Sequence, residues 1–184
     1  MTKQSEPSPI GEFRVIHSMR ELDALEKQVT AAAKRTVESL LVLLSGTDPL
    51  DAFARMKFEF SGFHPTEDRS LNLIEQINQT FTYLASARAA RWLFQRHPDA
   101  APFRLNLGTA GGTDIESCDG SVAAETFASV DPRNNRKLVG DIEKVSRTHA
   151  KHKYVFYICP KHDVAEPTAT PLSAEVKIIS LGWS

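Results

Sequence analysis

The sequence predicts an α/β protein, and two observations carry that reading. Up to residue 97 the apolar residues recur at helical spacing, whereas from residue 103 onward they follow the two-residue alternation of strands. The resulting order is helix, three strands, helix, strand, with Asp119-Gly120 supplying a tight turn between the second and third of those strands. At 184 residues the chain fits one domain of ordinary size with a core of its own.

Each element has its own justification. Ser18 with Glu21 three residues on has the form of a capping box, and Leu22, Leu25, Val29, Ala33, Val37, Leu40 and Leu44 continue one long helix as far as Gly46. Asp48-Pro49 starts a short helix through residue 56, and residues 57–60 form either a strand or an extended connection. Thr66, with Glu67 and Asp68 in the first turn, opens a helix whose stripe Leu71, Ile74, Ile77, Phe81, Leu84 and Trp92 runs to the break at His97-Pro98. Residues 103–107 read as a strand, 108–112 as a flexible turn, 113–117 as a second strand and 121–130 as a third. Asp131-Pro132 ends that strand, Asn134 or Asn135 caps a helix running to about residue 149, and 154–159 is a compact buried strand. Residues 161–175, with Pro167 and Pro171, read as a polar connection, and 176–183 as a last edge strand.

Composition excludes several classes of function. A hydrophobic fraction of 41% and a charged fraction of 24% are those of a soluble globular protein, and no apolar run approaches the roughly 20 residues that a membrane span needs. The start, MTKQSEPSPI, has neither a secretory apolar region nor an Arg-rich transit pattern, so the chain reads as cytoplasmic with a short frayed N-terminus. Cys118 and Cys159 form no CxxC pair and read as small buried thiols. The histidines lack HExxH or paired zinc spacing, and no GK[ST] follows Gly108, Gly111 and Gly112. The long N-terminal helix either packs on the core or forms a homodimer seam.

A formal net charge of −1 does not advertise a polyanion partner, but the charge is unevenly spread. Residues 131–153 hold seven Lys and Arg against three Asp and Glu. Arg133, Arg136, Lys144 and Arg147 can therefore track a phosphate backbone. The alternative is an ordinary solvated helix with pairs such as Lys137 and Asp141.

The strongest chemical signal lies in the hairpin GTDIESCDGSVAAETFASV. With Asp119-Gly120 as a two-residue loop, antiparallel register sets Glu116 against Ala123 and Asp114 against Glu125. Like charges directly opposite each other are destabilising, more so beside Val122-Ala123-Ala124, unless one carboxyl is protonated or a cation lies between them. A divalent metal resolves the conflict, and carboxylate oxygens suit magnesium. Strand periodicity puts Glu116 on the face of Asp114 as a third carboxylate. The plain alternative is a solvated edge with both carboxylates exposed.

With that hairpin set between two helices, the sequence resembles the PD-(D/E)XK nuclease superfamily over about residues 66–160. The resemblance implies a restriction-endonuclease-like core of helix, three-strand meander, helix and strand over residues 63–184, preceded by an N-terminal helical extension over 1–62. It implies that Asp114 and Glu125 bind Mg2+ or Mn2+, and that Glu75, in NLIEQINQ, is the further helix carboxylate some members use. The chain departs from the family in Glu125-Thr126-Phe127, where Phe127 holds the place of the motif lysine. Either a lysine of the following helix substitutes, Lys137 before Arg136 or Lys144, or catalysis is lost. In the first case the expected activity is metal-dependent phosphodiester hydrolysis of nucleic acid, with DNA favoured. In the second the domain binds nucleic acid or a protein partner in a defence or repair system.

Overall fold

The computed structural model describes residues 13–108, 110–132 and 136–183. Among them, the strands and α-helices follow in the order β1 (Phe13–Ile16), α1 (Met19–Leu44), α2 (Pro49–Phe58), β2 (Gly62–Phe63), β3 (Ser70–Leu71), α3 (Leu73–Arg96), β4 (Phe103–Asn106), β5 (Ile115–Ser117), β6 (Val122–Ala128), α4 (Lys137–Ser146), β7 (His152–Ile158), β8 (Thr168–Thr170) and β9 (Ser173–Ser180). The class is α/β. Seven strands form one mixed sheet in the order β1-β4-β5-β6-β7-β9-β8. Pairing is antiparallel from β1 through β6, parallel from β6 through β7 to β9, and antiparallel again at β8. The sheet thus changes sense at β6.

Both faces of β6 are covered, which is why VAAETFA reads as a continuous apolar run broken by Glu125. Val122 and Ala124 join the larger core with α3, whose Ala85, Ala87, Ala89 and Ala90 are fully buried. Side chains this small let the α3 backbone lie close to its neighbours. Ile16, Leu22, Leu25 and Val29 belong to the same core, so α1 packs through its first half. Beyond Thr36 its stripe turns outward, leaving Val37, Leu41, Val42 and Leu44 exposed. On the other face, Ala123 and Phe127 meet Ile142 and Val145 of α4.

Several elements depart from the sequence expectation. The first described element is a strand: β1 lies along β4, too short a segment for periodicity to detect. Residues 57–58 extend α2 instead of starting a strand. The third helix starts at Leu73, capped by Asn72, and not at Thr66. The reason is His64, whose Nδ1 accepts from the N–H groups of Thr66 (3.3 Å) and Glu67 (3.0 Å) and so wraps that stretch into the β2–β3 hairpin. Helix α4 ends at Ser146, and the proposed caps Asn134 and Asn135 lie outside the described residues. The closing segment 173–180 is interior, because Thr168–Thr170 from the expected polar connection takes the edge. Cys118 is exposed, contrary to expectation, while Cys159 is buried.

Candidate active site

The Asp119-Gly120 turn sets the geometry of the site. Gly120 adopts φ +73°, a region open to glycine at little cost, and Asp119 Oδ1 accepts from the Ser121 N–H at 2.9 Å. Strands β5 and β6 then pair Glu116 with Ala123 and Ile115 with Ala124, the register expected of a two-residue loop. One residue further, the chain brings Asp114 to Glu125. The Asp114 N–H donates to Glu125 Oε1 at 3.3 Å, and Asp114 Oδ2 accepts from the Thr126 N–H at 2.8 Å and the Thr126 hydroxyl at 3.2 Å. Thr126 is itself anchored on α3, its hydroxyl 2.9 Å from Ser86 Oγ.

Helix α4 delivers the cations. Lys144 Nζ donates to Glu125 Oε2 at 2.9 Å, and Lys137 Nζ donates to Asp141 Oδ1 at 2.7 Å, one helical turn away. Glu125 is fully buried and Asp141 is 4% exposed, whereas both lysine side chains are about half exposed. The second Asp141 oxygen, Oδ2, is buried without a hydrogen-bond partner among the described residues. Among the described residues, three carboxylates thus lie near two ammonium groups, Lys144 pairing with Glu125 and Lys137 with Asp141, while Asp114 is bonded to Thr126.

The energetics follow from that imbalance. Burial pushes the Glu125 carboxyl up to about 7, the charge of Asp114 adds to the rise, and Lys144 opposes it. Burial also raises Asp141, against the bond from Lys137. For Lys137, burial works against its charge, yet the bond and field of Asp141, with Asp114 and Glu125 behind it, hold it above the ordinary lysine value. The like-charge conflict of the hairpin is therefore relieved in two ways, by Lys144 and by the readiness of Glu125 to keep a proton.

The remaining sequence-predicted residues are placed as follows. Glu116 is turned to the β4 side, paired with Arg104 and accepting from the Thr113 hydroxyl at 3.0 Å; burial notwithstanding, these partners hold its carboxyl below the usual value. Glu75 is exposed in the first turn of α3, and among the described residues it makes no hydrogen bond or ion pair with the cluster. Arg136 sits at the start of α4 with φ +54°, and Arg147 pairs with Glu143 at 3.9 Å, both on the outer surface. Arg133 lies outside the described residues. Phe127 is buried, its ring stacked on Tyr157 with centroids 5.8 Å apart.

A cavity of about 800 Å³ opens beside this cluster, at the carboxyl ends of β6 and β7, where open α/β sheets commonly bind ligands. Asp114 and Lys137 are the charged groups of its described lining, Asn78 and Thr82 are among its neutral polar groups, and Phe81, Phe127, Ile158 and Trp183 are among its apolar walls. From the sequence, Asp141 reads only as a partner of Lys137 on a solvated helix. The signal for more was present: it falls on the stripe Leu138, Ile142, Val145, where a carboxylate must be buried. Trp183, three residues beyond β9, gave no signal of its own.

Among the described residues, no group of three or more His, Cys, Asp and Glu side chains is arranged to hold a metal ion. None of the described helices is long and apolar enough to cross a membrane. No protein-family model matches the chain, and no curated protein or solved structure matches it significantly.

Proposed function

We propose that the protein hydrolyses phosphodiester bonds of nucleic acid, DNA by preference, with a divalent metal, on a restriction-endonuclease-like core in which α4 supplies the lysine missing at Phe127. The observation that carries this reading is the convergence of Asp114 and Glu125 with Lys137 and Lys144 beside an open cavity. The run α3-β4-β5-β6-α4-β7, an antiparallel meander followed by a helix and a parallel strand, supports it. So does the match of Asp114 and Glu125 to the motif of that superfamily.

The donor set fits magnesium or manganese. Such ions are commonly held by one or two carboxylates, with the remaining positions left to water and substrate, and Asp141 Oδ2, without a hydrogen-bond partner among the described residues, supports this reading. An ion on Asp114 and Glu125 would polarise the phosphodiester and acidify bound water. The chain's own groups do the rest. Thr126 fixes the Asp114 carboxylate through two hydrogen bonds to Oδ2, and Asp114 lines the cavity. Lys144 favours the ionised form of Glu125, and Lys137, on the cavity side, meets the charge that builds up on the phosphate.

Cleavage of single- and double-stranded DNA and RNA with Mg2+ or Mn2+ tests the proposal. The wild type is expected to cut at least one of them, Asp114→Asn to abolish cutting, and Lys137→Ala to lower it at least 100-fold with metal binding intact. Cleavage that survives Lys137→Ala transfers the role to Lys144. A second reading, a nuclease-like domain that binds without cutting, is favoured by one observation: Phe127 fills the lysine's place and packs against Tyr157 under α4. Metal binding with no cleavage of any of those substrates would establish it.

A further inference from the structure

The cavity beside Asp114 contains more than phosphodiester chemistry requires. Among the described residues that line it, Lys137 supplies the cationic side chain, so its length is not built to follow a row of phosphates. Its walls are mainly apolar and aromatic instead, with Asn78, Thr82, Thr126 and Ser129 as neutral polar lining. Phe81 and Trp183 stand together with ring centroids 5.3 Å apart and planes at 49°, and Phe127 lines the same space. Trp183 is held in place: the Arg88 guanidinium donates to the Trp183 carbonyl at 3.1 Å and to that of Gly182 at 3.3 Å, and lies 5.6 Å from the indole centroid. An indole left 46% exposed at the wall of a cavity, yet fixed by its backbone, offers a face for stacking. Among the described residues, Ser129 Oγ in the lining is also buried without a hydrogen-bond partner.

An occupant of this cavity has to be planar and largely apolar, carry a hydrogen-bonding edge, and be joined to a group that belongs beside Asp114 and Lys137. A nucleobase attached through its sugar to a phosphate meets all of these conditions. A base inside a duplex does not, because its faces and edge are already used. We infer that this cavity is a nucleobase pocket, and that the substrate is single-stranded nucleic acid whose unstacked base next to the reacting phosphate enters it. The inference rests on the phosphodiester reading above and adds the strandedness of the substrate. Stacking on an aromatic side chain tolerates any base, so discrimination is expected between strand states and not between sequences.

The test is equilibrium binding with Ca2+ or EDTA in place of Mg2+, read by the anisotropy of labelled oligonucleotides. Four probes are used: a 12-nucleotide single strand, its blunt duplex, a single strand of the same length with abasic residues throughout, and the same single strand in RNA. The wild type is expected to bind the DNA single strand at least 10-fold more tightly than the duplex. Trp183→Ala and Phe81→Ala are each expected to weaken single-strand binding by about 5- to 100-fold, as loss of one stacked base implies. The abasic strand is expected to bind the wild type as weakly as the intact strand binds Trp183→Ala, a comparison that needs no variant to fold. Equal affinity for strand and duplex, an abasic strand as tight as the intact one, or no binding of any probe overturns the inference. Cleavage of duplex unaffected by Trp183→Ala would keep the nuclease reading and remove the pocket. Base-dependent binding without cleavage under any metal would keep the pocket and remove the nuclease.

Discussion

Replacing Glu125 by Gln removes the charge from the most deeply buried carboxyl of the cluster while nearly keeping its shape, and the effect can be worked from the structure. Glu125 has no exposed surface, and its carboxyl is raised from 4.5 to about 7 by burial and by Asp114. The native state therefore holds a proton that the unfolded chain has already released. Between these two values the native state binds more protons than the unfolded state, so stability falls as pH rises through that window. The loss amounts to roughly 3 kcal/mol, complete by about pH 8, or on the order of 6–12 °C in melting temperature for a chain of this size. Asp141, also raised by burial, adds in the same direction. His64, His97 and His152, lowered mainly by burial, act in the opposite sense but are common to both proteins. The assay is thermal or urea unfolding of the wild type and Glu125→Gln at half-unit steps from pH 5 to 8.5 without divalent metal. The difference curve should already be moving in favour of Glu125→Gln at pH 5, by about 1.4 kcal/mol per pH unit, and level off between pH 7 and 8. Parallel curves across the whole range would mean that Glu125 ionises like an exposed carboxyl, and the electrostatics described here would be wrong.

Other perturbations give separate readings. Lys144→Ala removes the cation that opposes the rise of Glu125, so the pH midpoint of metal-induced stabilisation should move upward; a midpoint unchanged from the wild type would show that the 2.9 Å contact has no energetic consequence. Phe127→Lys places an ammonium group beneath Ile142 and Val145 and deletes the ring on Tyr157, and should cost about 3–5 kcal/mol in urea unfolding without restoring activity. A stable Phe127→Lys protein with raised cleavage would instead show that the lysine's place remains open. Arg147→Ala, on the exposed face of α4, should weaken oligonucleotide binding alike across sequences and lower the slope of log K against log salt by about 1, if that helix tracks phosphates. An unchanged slope would place the backbone path elsewhere.

What could be read from the sequence was whatever is local. The Asp119-Gly120 turn dictates its own register, so the meeting of Asp114 with Glu125 followed from twelve residues of chain without knowledge of the rest. The long helix after Ser18 and the buried strand at 154–159 were equally legible, because cap and period agree. What failed depended on distant partners. Thr66 looks like a helix start until His64 takes its N–H; β1 and β8 exist only because β4 and β9 offer them edges. Residues 173–180 have the composition of a last strand, but nothing local says that β8 will fold back outside them. In the site, Lys137 and Lys144 read from the sequence as alternatives, whereas on the helix surface both reach the cluster, one toward the cavity and one onto Glu125. Trp183 could not be placed, because it acquires its role from Phe81 and Arg88 far along the chain, whereas the burial of Asp141 was legible in the apolar stripe of α4.

The central claim is that Asp114 and Glu125 converge to hold a divalent ion, and the most direct measurement is titration of the metal-free protein with Mn2+ at pH 8, followed by electron paramagnetic resonance and calorimetry. The account predicts a saturable site in the wild type, occupied in the millimolar range or below, retained in Lys137→Ala and lost in both Asp114→Asn and Glu125→Gln. A wild type that takes up no Mn2+ at several millimolar, or a site that persists unchanged in both carboxylate variants, would contradict it.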